Sequence, residues 1–236
     1  MTLHMYYKDA YLKHFPAMVK NSENQAVVLD QTAFYPGGGG QPNDIGILKA
    51  GVETWKVQKV RRVNDDLLHM LDKEGPISGT LVEAEIDWTR RLQLMRIHTA
   101  MHILCGVIWR DYGASVTGGN MKPLRGRMDF EFETMHKELV KEIEEKINIE
   151  VTAAREVTTR VLPRGEAFQI PDLIRTKINL LPEGIQEVRV VEIVGLDLQA
   201  DGGTHVANTE EVGTIKIVDY KSKGSINKRI IVALDS

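Results

Sequence analysis

Residues 87–112 read Asp-Trp-Thr-Arg-Arg-Leu-Gln-Leu-Met-Arg-Ile-His-Thr-Ala-Met-His-Ile-Leu-Cys-Gly-Val-Ile-Trp-Arg-Asp-Tyr. No proline and no period-two alternation interrupts positions 90–112. Leu94, Ile97, Met101, Leu104 and Ile108 recur at spacings of three and four. Apolar residues at that spacing share one face of a helix, so the stretch predicts an amphipathic α-helix. Asp87 or Thr89 supplies an N-cap, and Gly113 ends the helix.

This helix separates two regions of different character. Upstream, short apolar or alternating runs lie at 26–29, 54–60 and 67–71, the last followed by the breaker Glu74-Gly75-Pro76. Short strands between turn signals predict a small barrel or sandwich over residues 1–86. Downstream, 128–133 alternates as a strand and 134–149 carries a helical stripe of Leu139, Ile143 and Ile147. Strands are expected at 187–194, 213–220 and 229–234, the last two forming a hairpin around Lys223-Gly224-Ser225. Helices and strands mix without regular βαβ alternation, so residues 87–236 read as an α+β domain. The one low-complexity tract is Gly37-Gly38-Gly39-Gly40.

Composition narrows the function classes. Of 236 residues, 42% are hydrophobic and 27% charged, ordinary values for a globular chain. No run nears the ~18–20 apolar residues of a membrane span. Residues 1–9 lack the basic-then-apolar order of a signal peptide, and Cys105 is the only cysteine. The expectation is a cytoplasmic protein in a reducing compartment, with no membrane partner. The net charge of -3 removes whole-chain basicity as a nucleic-acid signal. Two local clusters remain: Lys122, Arg125 and Arg127, and Lys221, Lys223, Lys228 and Arg229. Read alone, each fits a solvated surface better than a phosphate site.

The chemistry lies on the helix. His98 and His102 are four residues apart, which puts both imidazoles on one face, one turn apart. Two such ligands can share a zinc ion, although ordinary hydrogen-bonded histidines have the same spacing. Far downstream, Asp201 and His205 flank the turn of Asp201-Gly202-Gly203-Thr204-His205. A carboxylate and an imidazole are both credible zinc ligands, and a turn with a capping aspartate is the plainer alternative.

His98-Thr99-Ala100-Met101-His102 and Asp201-Gly202-Gly203-Thr204-His205 together resemble the motifs of the alanyl-tRNA synthetase editing domain. That family carries His-x-x-x-His and, downstream, Cys-Gly-Gly-Thr-His. Residues 29–44, with Tyr35-Pro36-Gly37-Gly38-Gly39-Gly40-Gln41, resemble the family's glycine motif. Lys221-Ser222-Lys223-Gly224-Ser225 through Arg229-Ile230 resemble its closing hairpin. The likeness spans essentially the whole chain and starts where the chain starts. The expectation is therefore a free-standing editing protein of the AlaX family, medium-length form, without an aminoacylation domain.

The resemblance implies a small N-terminal β-barrel followed by an α+β editing domain like those of alanyl- and threonyl-tRNA synthetases. It implies Zn2+ on His98, His102 and His205, and ATP-independent deacylation of Ser-tRNA(Ala) and Gly-tRNA(Ala). Zinc can polarise the ester carbonyl or lower the pKa of water from 15.7 toward ~7. No Ser-His-Asp arrangement is evident, so water is the expected nucleophile. One position departs from the family: Asp201 stands where it has cysteine, and Cys105, on an apolar stripe, is expected in the core. Asp201 is either the fourth ligand or, with water in that position, a general base or histidine orienter.

The family places a polar residue against the substrate side chain, and Thr117 matches that position; a turn residue before Gly118-Gly119 is the alternative. Such a group would bond the serine hydroxyl and be left unpaired by alanine. The glycine run is either a close-approach loop for RNA, through Gly38, Gly39 and Gly40, or a hairpin turn. It is not a Walker loop, because no Gly-Lys-Ser/Thr follows. Lys122, Arg125 and Lys223 are the expected phosphate contacts, with salt-sensitive binding. Two rival readings are editing of threonine tRNA and a noncatalytic, metal-stabilised RNA-binding or synthetase-associated module.

Overall fold

The computed structural model describes residues 2–64, 66–175 and 184–236. The chain divides into two compact units, Met1–Leu92 and Gln93–Ser236. The first contains β1 (Leu3–His4), a 3-10 turn (Met5–Tyr7), β2 (His14–Glu23), β3 (Ala26–Leu29), β4 (Gln31–Thr32), β5 (Gly46–Ala50), β6 (Glu53–Val63), β7 (Asp66–Leu71) and β8 (Leu81–Ile86). Six of these strands close into a barrel in the order β2-β3-β7-β6-β5-β8, while β1 and β4 form a short parallel pair. Closure removes the exposed edges that an open sheet would leave.

Alternation builds the barrel interior. Phe15, Ala17 and Val19 on β2 and Val82, Ala84 and Ile86 on β8 are buried, and most of their strand neighbours are exposed. They join Phe34, Leu48, Val57 and Leu67 in one apolar cluster. Residues 37–40 all have positive φ, at 88, 143, 57 and 86°. Gly38 and Gln41 exchange backbone hydrogen bonds of 3.0 and 2.9 Å across Gly39-Gly40. This is a primed two-residue turn, which glycine enters without strain. The run is thus a hairpin turn in its backbone.

A buried histidine sits among the barrel strands. His69 is fully buried, with Nε2 2.9 Å from Thr32 Oγ1 and Nδ1 3.4 Å from the Val27 carbonyl. Burial disfavours its charged form and lowers its pKa to about 4, outweighing the Val27 and Leu67 backbone contacts that favour the charge. The folded pKa lies below the unfolded value of 6.5, so this stabilisation is complete above pH 6.5 and is lost toward pH 4. The loss amounts to roughly 3 kcal/mol. Denaturant unfolding at pH 7 and pH 4 should show wild type losing about that much more than His69→Gln. Equal losses would refute this account of His69.

α1 (Trp88–Tyr112) begins in the first unit and contributes most of its length to the second. Arg90 N–H donates to Asp87 Oδ1 at 3.0 Å, so Asp87 is the N-cap. Gly113, at φ 62°, ends the helix with its N–H on the Trp109 carbonyl. The second unit continues with β9 (Val116–Lys122), β10 (Arg125–Glu131), α2 (Lys137–Thr152), β11 (Val157–Pro163), α3 (Arg164–Ala167), β12 (Glu187–Ile193), β13 (Asp197–Ala200), a 3-10 turn (Thr209–Val212), β14 (Ile215–Ser222) and β15 (Asn227–Leu234). Its sheets run β14-β15-β10-β9 and β11-β12-β13.

One expectation is corrected here. α1 is not amphipathic over its middle, because residues 97–108 are all buried. Added Cβ atoms show what surrounds it. One on Gly126 of β10 would lie 2.6 Å from Met101 Sδ, and one on Gly106 would lie 2.9 Å from Leu196 Cγ. The helix is enclosed on two sides, and glycine allows each close approach. No helix among the described residues is long and apolar enough to cross a membrane.

Candidate metal centre

Two elements of the second unit bring the site together. α1 supplies His98 and His102, whose ring centroids are 5.2 Å apart. The loop after β13 supplies Asp201 and His205, and the His205 ring lies 4.2 Å from His98 and 4.7 Å from His102. One donor atom from each of these four residues falls within 4.8 Å of the others. Tetrahedral ligands at ~2.0–2.1 Å from zinc are ~3.4 Å apart, so a small contraction completes such a site.

The histidines are oriented from outside. His102 Nδ1 meets Asp197 Oδ2 at 2.9 Å, and His205 Nδ1 meets Thr99 Oγ1 at 3.1 Å. Thr99 Oγ1 also accepts from Val206 N–H at 3.3 Å. His98 hydrogen-bonds the Thr204 backbone, and its Nε2 lies 3.6 Å from Asp201 Oδ1. Engaging one ring nitrogen leaves the other for a metal. Asp201 is fixed as well. Its Oδ2 accepts from Gly203 N–H at 2.6 Å and lies 3.1 Å from His205 Nε2. Arg189 Nη1 donates to the Asp201 carbonyl at 3.0 Å.

Electrostatics prepare these groups as ligands. Burial holds His98 down to about 4 and holds His205 well below the usual range, so both imidazoles are neutral at pH 7. Burial also works against charge on His102, but Asp197 beside it outweighs this and the net shift is upward. Burial opposes the ionised form of Asp201, yet the surrounding histidines carry its pKa well below 3.8. Three imidazoles and a carboxylate form a donor set that suits zinc.

The other sequence-predicted residues lie elsewhere. Thr117 is exposed on β9 and donates to Asn227 Oδ1 at 2.8 Å. Lys122 and Arg125 are cross-strand partners on β9 and β10, and with Arg127 they line a cleft of about 180 Å³. Lys223 is exposed in the β14–β15 turn. Lys221 beside it is exposed and pairs with Asp219, whereas Lys228 Nζ turns in onto the Gly224 and Ser225 carbonyls and Arg229 grips Asp129 through two 2.7 Å bonds. Gly38, Gly39 and Gly40 lie in the turn of the first unit. Cys105 is buried, as expected for a core residue.

Sequence reasoning missed Asp197, Thr99 and Arg189. Thr99 was within sight, inside the histidine motif. Gly106, one turn beyond His102, was the only local sign that another segment comes close.

Residues 6–90 match the family described as tRNA synthetases class II (A), and residues 188–231 match the threonyl and alanyl tRNA synthetase second additional domain. Both ends of the chain are therefore of tRNA-synthetase type. The alanyl-tRNA editing protein AlaX-M of Saccharolobus solfataricus is 40% identical over 235 residues, covering 98% of this chain and 98% of that protein. The AlaX-M protein of Methanosarcina barkeri is 38% identical over 99% of each chain. The alanine–tRNA ligase of Ignicoccus hospitalis is 38% identical over 93% of this chain, which is 24% of the ligase. The chain belongs to the AlaX-M family of alanyl-tRNA editing proteins.

Proposed function

We propose that this chain is a zinc-dependent deacylase that edits mischarged alanine tRNA in the cytoplasm, releasing serine from Ser-tRNA(Ala) and glycine from Gly-tRNA(Ala). The observation that carries the reading is the buried convergence of His98, His102, His205 and Asp201 in a chain matching AlaX-M proteins over their full length. Zinc held by the three histidines would supply Lewis acidity toward the ester carbonyl or a water molecule.

The chain's own residues do the rest. Asp201 has Oδ2 anchored on Gly203 N–H, and its Oδ1 faces His98. Its carboxylate is poised to take the proton of the attacking water. The water oxygen bonds to the ester carbon, the bond to the ribose oxygen breaks, and that oxygen leaves protonated. With their inward lone pairs given to a metal, His98 and His205 would not serve as bases, which leaves the carboxylate of Asp201 as the proton acceptor. Lys122 and Arg125 are assigned phosphate contacts, because paired cations on neighbouring strands match a phosphodiester backbone, and Lys223, exposed in the β14–β15 turn, is assigned one on the resemblance. Gly38, Gly39 and Gly40 are assigned to the RNA side on the resemblance. Thr117 enters the reading the same way, and a serine hydroxyl would have to exchange with its bond to Asn227.

The test is release of amino acid from purified Ser-, Gly- and Ala-tRNA(Ala) and from Ser-tRNA(Thr), with and without a chelator. Serine and glycine should leave tRNA(Ala) in a chelator-sensitive way while alanine stays. Equal cleavage of Ser-tRNA(Thr) would favour the threonine branch. No hydrolysis by metal-loaded protein would leave a noncatalytic module.

A further inference from the structure

We propose that Asp197 is a positioning residue of the metal centre, setting the orientation and donor strength of His102. This rests on the reading that the histidine cluster holds a metal.

Three observations converge on Asp197, the first residue of β13. Its side chain is fully buried, and a buried carboxylate survives only with partners. Its Oδ2 is 2.9 Å from His102 Nδ1 and accepts from Gln199 Nε2 at 2.7 Å. Its Oδ1 faces Arg175 Nη1 at 3.4 Å, and Arg175 in turn lies over the Trp109 ring. The partners are therefore two groups on Oδ2 and a counter-charge facing Oδ1.

Second, the three histidines are held unequally. The outer partner of His205 is a threonine hydroxyl, and that of His98 is backbone. His102 alone among them, within the described residues, has a carboxylate on the nitrogen that faces away from the cluster. A carboxylate there fixes the Nδ1–H tautomer, aims the Nε2 lone pair at the ion and makes it a better donor.

Third, the helix is shaped to admit this carboxylate. Gly106 lies one turn beyond His102 inside α1, where glycine is otherwise a poor choice. A Cβ at Gly106 would stand 3.1 Å from Asp197 Cβ and 3.1 Å from the Leu196 carbonyl oxygen. Any larger residue would crowd both Leu196 and the Cβ of Asp197.

The test measures zinc affinity by chelator competition, together with the visible spectrum of the cobalt-substituted protein, in full-length wild type and Asp197→Asn. The expected result is a ~10–100-fold loss of zinc affinity and a shifted cobalt band. A merely structural role would lower the melting temperature of the metal-free variant and leave the cobalt band of its folded fraction unchanged. Asp197→Glu keeps the charge opposite Arg175 but lengthens the side chain beside Gly106 and displaces the carboxylate from His102 Nδ1. A weakened affinity and shifted band are expected there too, so it carries the test if Asp197→Asn does not fold. Wild-type affinity and spectrum in whichever variant folds would overturn the proposal. Absence of zinc and cobalt binding by wild type would overturn the metal reading itself, and this inference with it.

Discussion

His98→Ala is expected to lower hydrolysis of Ser-tRNA(Ala) by at least about a thousandfold, or about 4 kcal/mol of transition-state stabilisation. His98 is one of three imidazoles converging on the site, and its ring stacks 4.2 Å from that of His205. Its loss removes one converging donor and leaves two imidazoles and a carboxylate, a set that could still hold zinc only by recruiting Asp201 as a ligand, which takes Asp201 from proton transfer. Metal content should fall together with activity. Asp201→Asn separates ligation from proton transfer. As proton acceptor, Asp201 can be replaced with metal content intact and hydrolysis lost; as fourth ligand, its replacement costs both. Metal analysis beside single-turnover deacylation reads the two quantities. Wild-type turnover by His98→Ala would sink the assignment of the cluster as the catalytic centre.

Arg91→Met should destabilise the barrel by about 3–5 kcal/mol, because it strands a buried carboxylate. The Arg91 and Asp44 side chains are 0% and 1% exposed and form an ion pair. Arg91 Nε bonds both Asp44 oxygens, at 3.1 and 3.0 Å, and its two terminal nitrogens reach the Ala10 and Ala33 carbonyls. Asp44 also accepts from Tyr35 N–H at 2.6 Å, tying together the two ends of the glycine turn. Removing both charges at once, in Arg91→Met/Asp44→Leu, leaves no buried ion and should recover part of the loss. Recovery stays partial because Tyr35 N–H still loses its acceptor. Equilibrium denaturation of the two variants decides it: a loss below about 1 kcal/mol in the single variant, or none recovered in the double, would refute the argument.

The legible parts of this protein were those with local signals. Positions 90–112 announced a helix through unbroken apolar spacing, and the histidine pair on it lies where that spacing puts it. The same residues explain the error about the helix surface. The apolar stripe predicts an amphipathic helix, yet His98, Thr99 and His102 are buried as well because they make the site. Strands β3, β6, β7, β12, β14 and β15 showed runs or alternation. β2 did not, since Pro16, Asn21 and Ser22 mask the inward Phe15, Ala17 and Val19. β9 looked like a turn because of Gly118-Gly119, but Gly119 lies in a strand paired with Met128. Asp197 was out of reach altogether. Its partner His102 lies 95 residues away, and no local pattern records such a contact.

That separation has a thermodynamic meaning when metal is present. The donors come from α1 and from the loop after β13, about a hundred residues apart in the chain. An ion joining them acts as a reversible cross-link around one of the longest loops in the second unit. In the chain-entropy picture, closing a loop of that size disfavours the unfolded state by about 4–5 kcal/mol. Catalytic competence and long-range closure of the chain would then depend on the same four side chains, so depletion of metal would silence the site and loosen the fold that builds it.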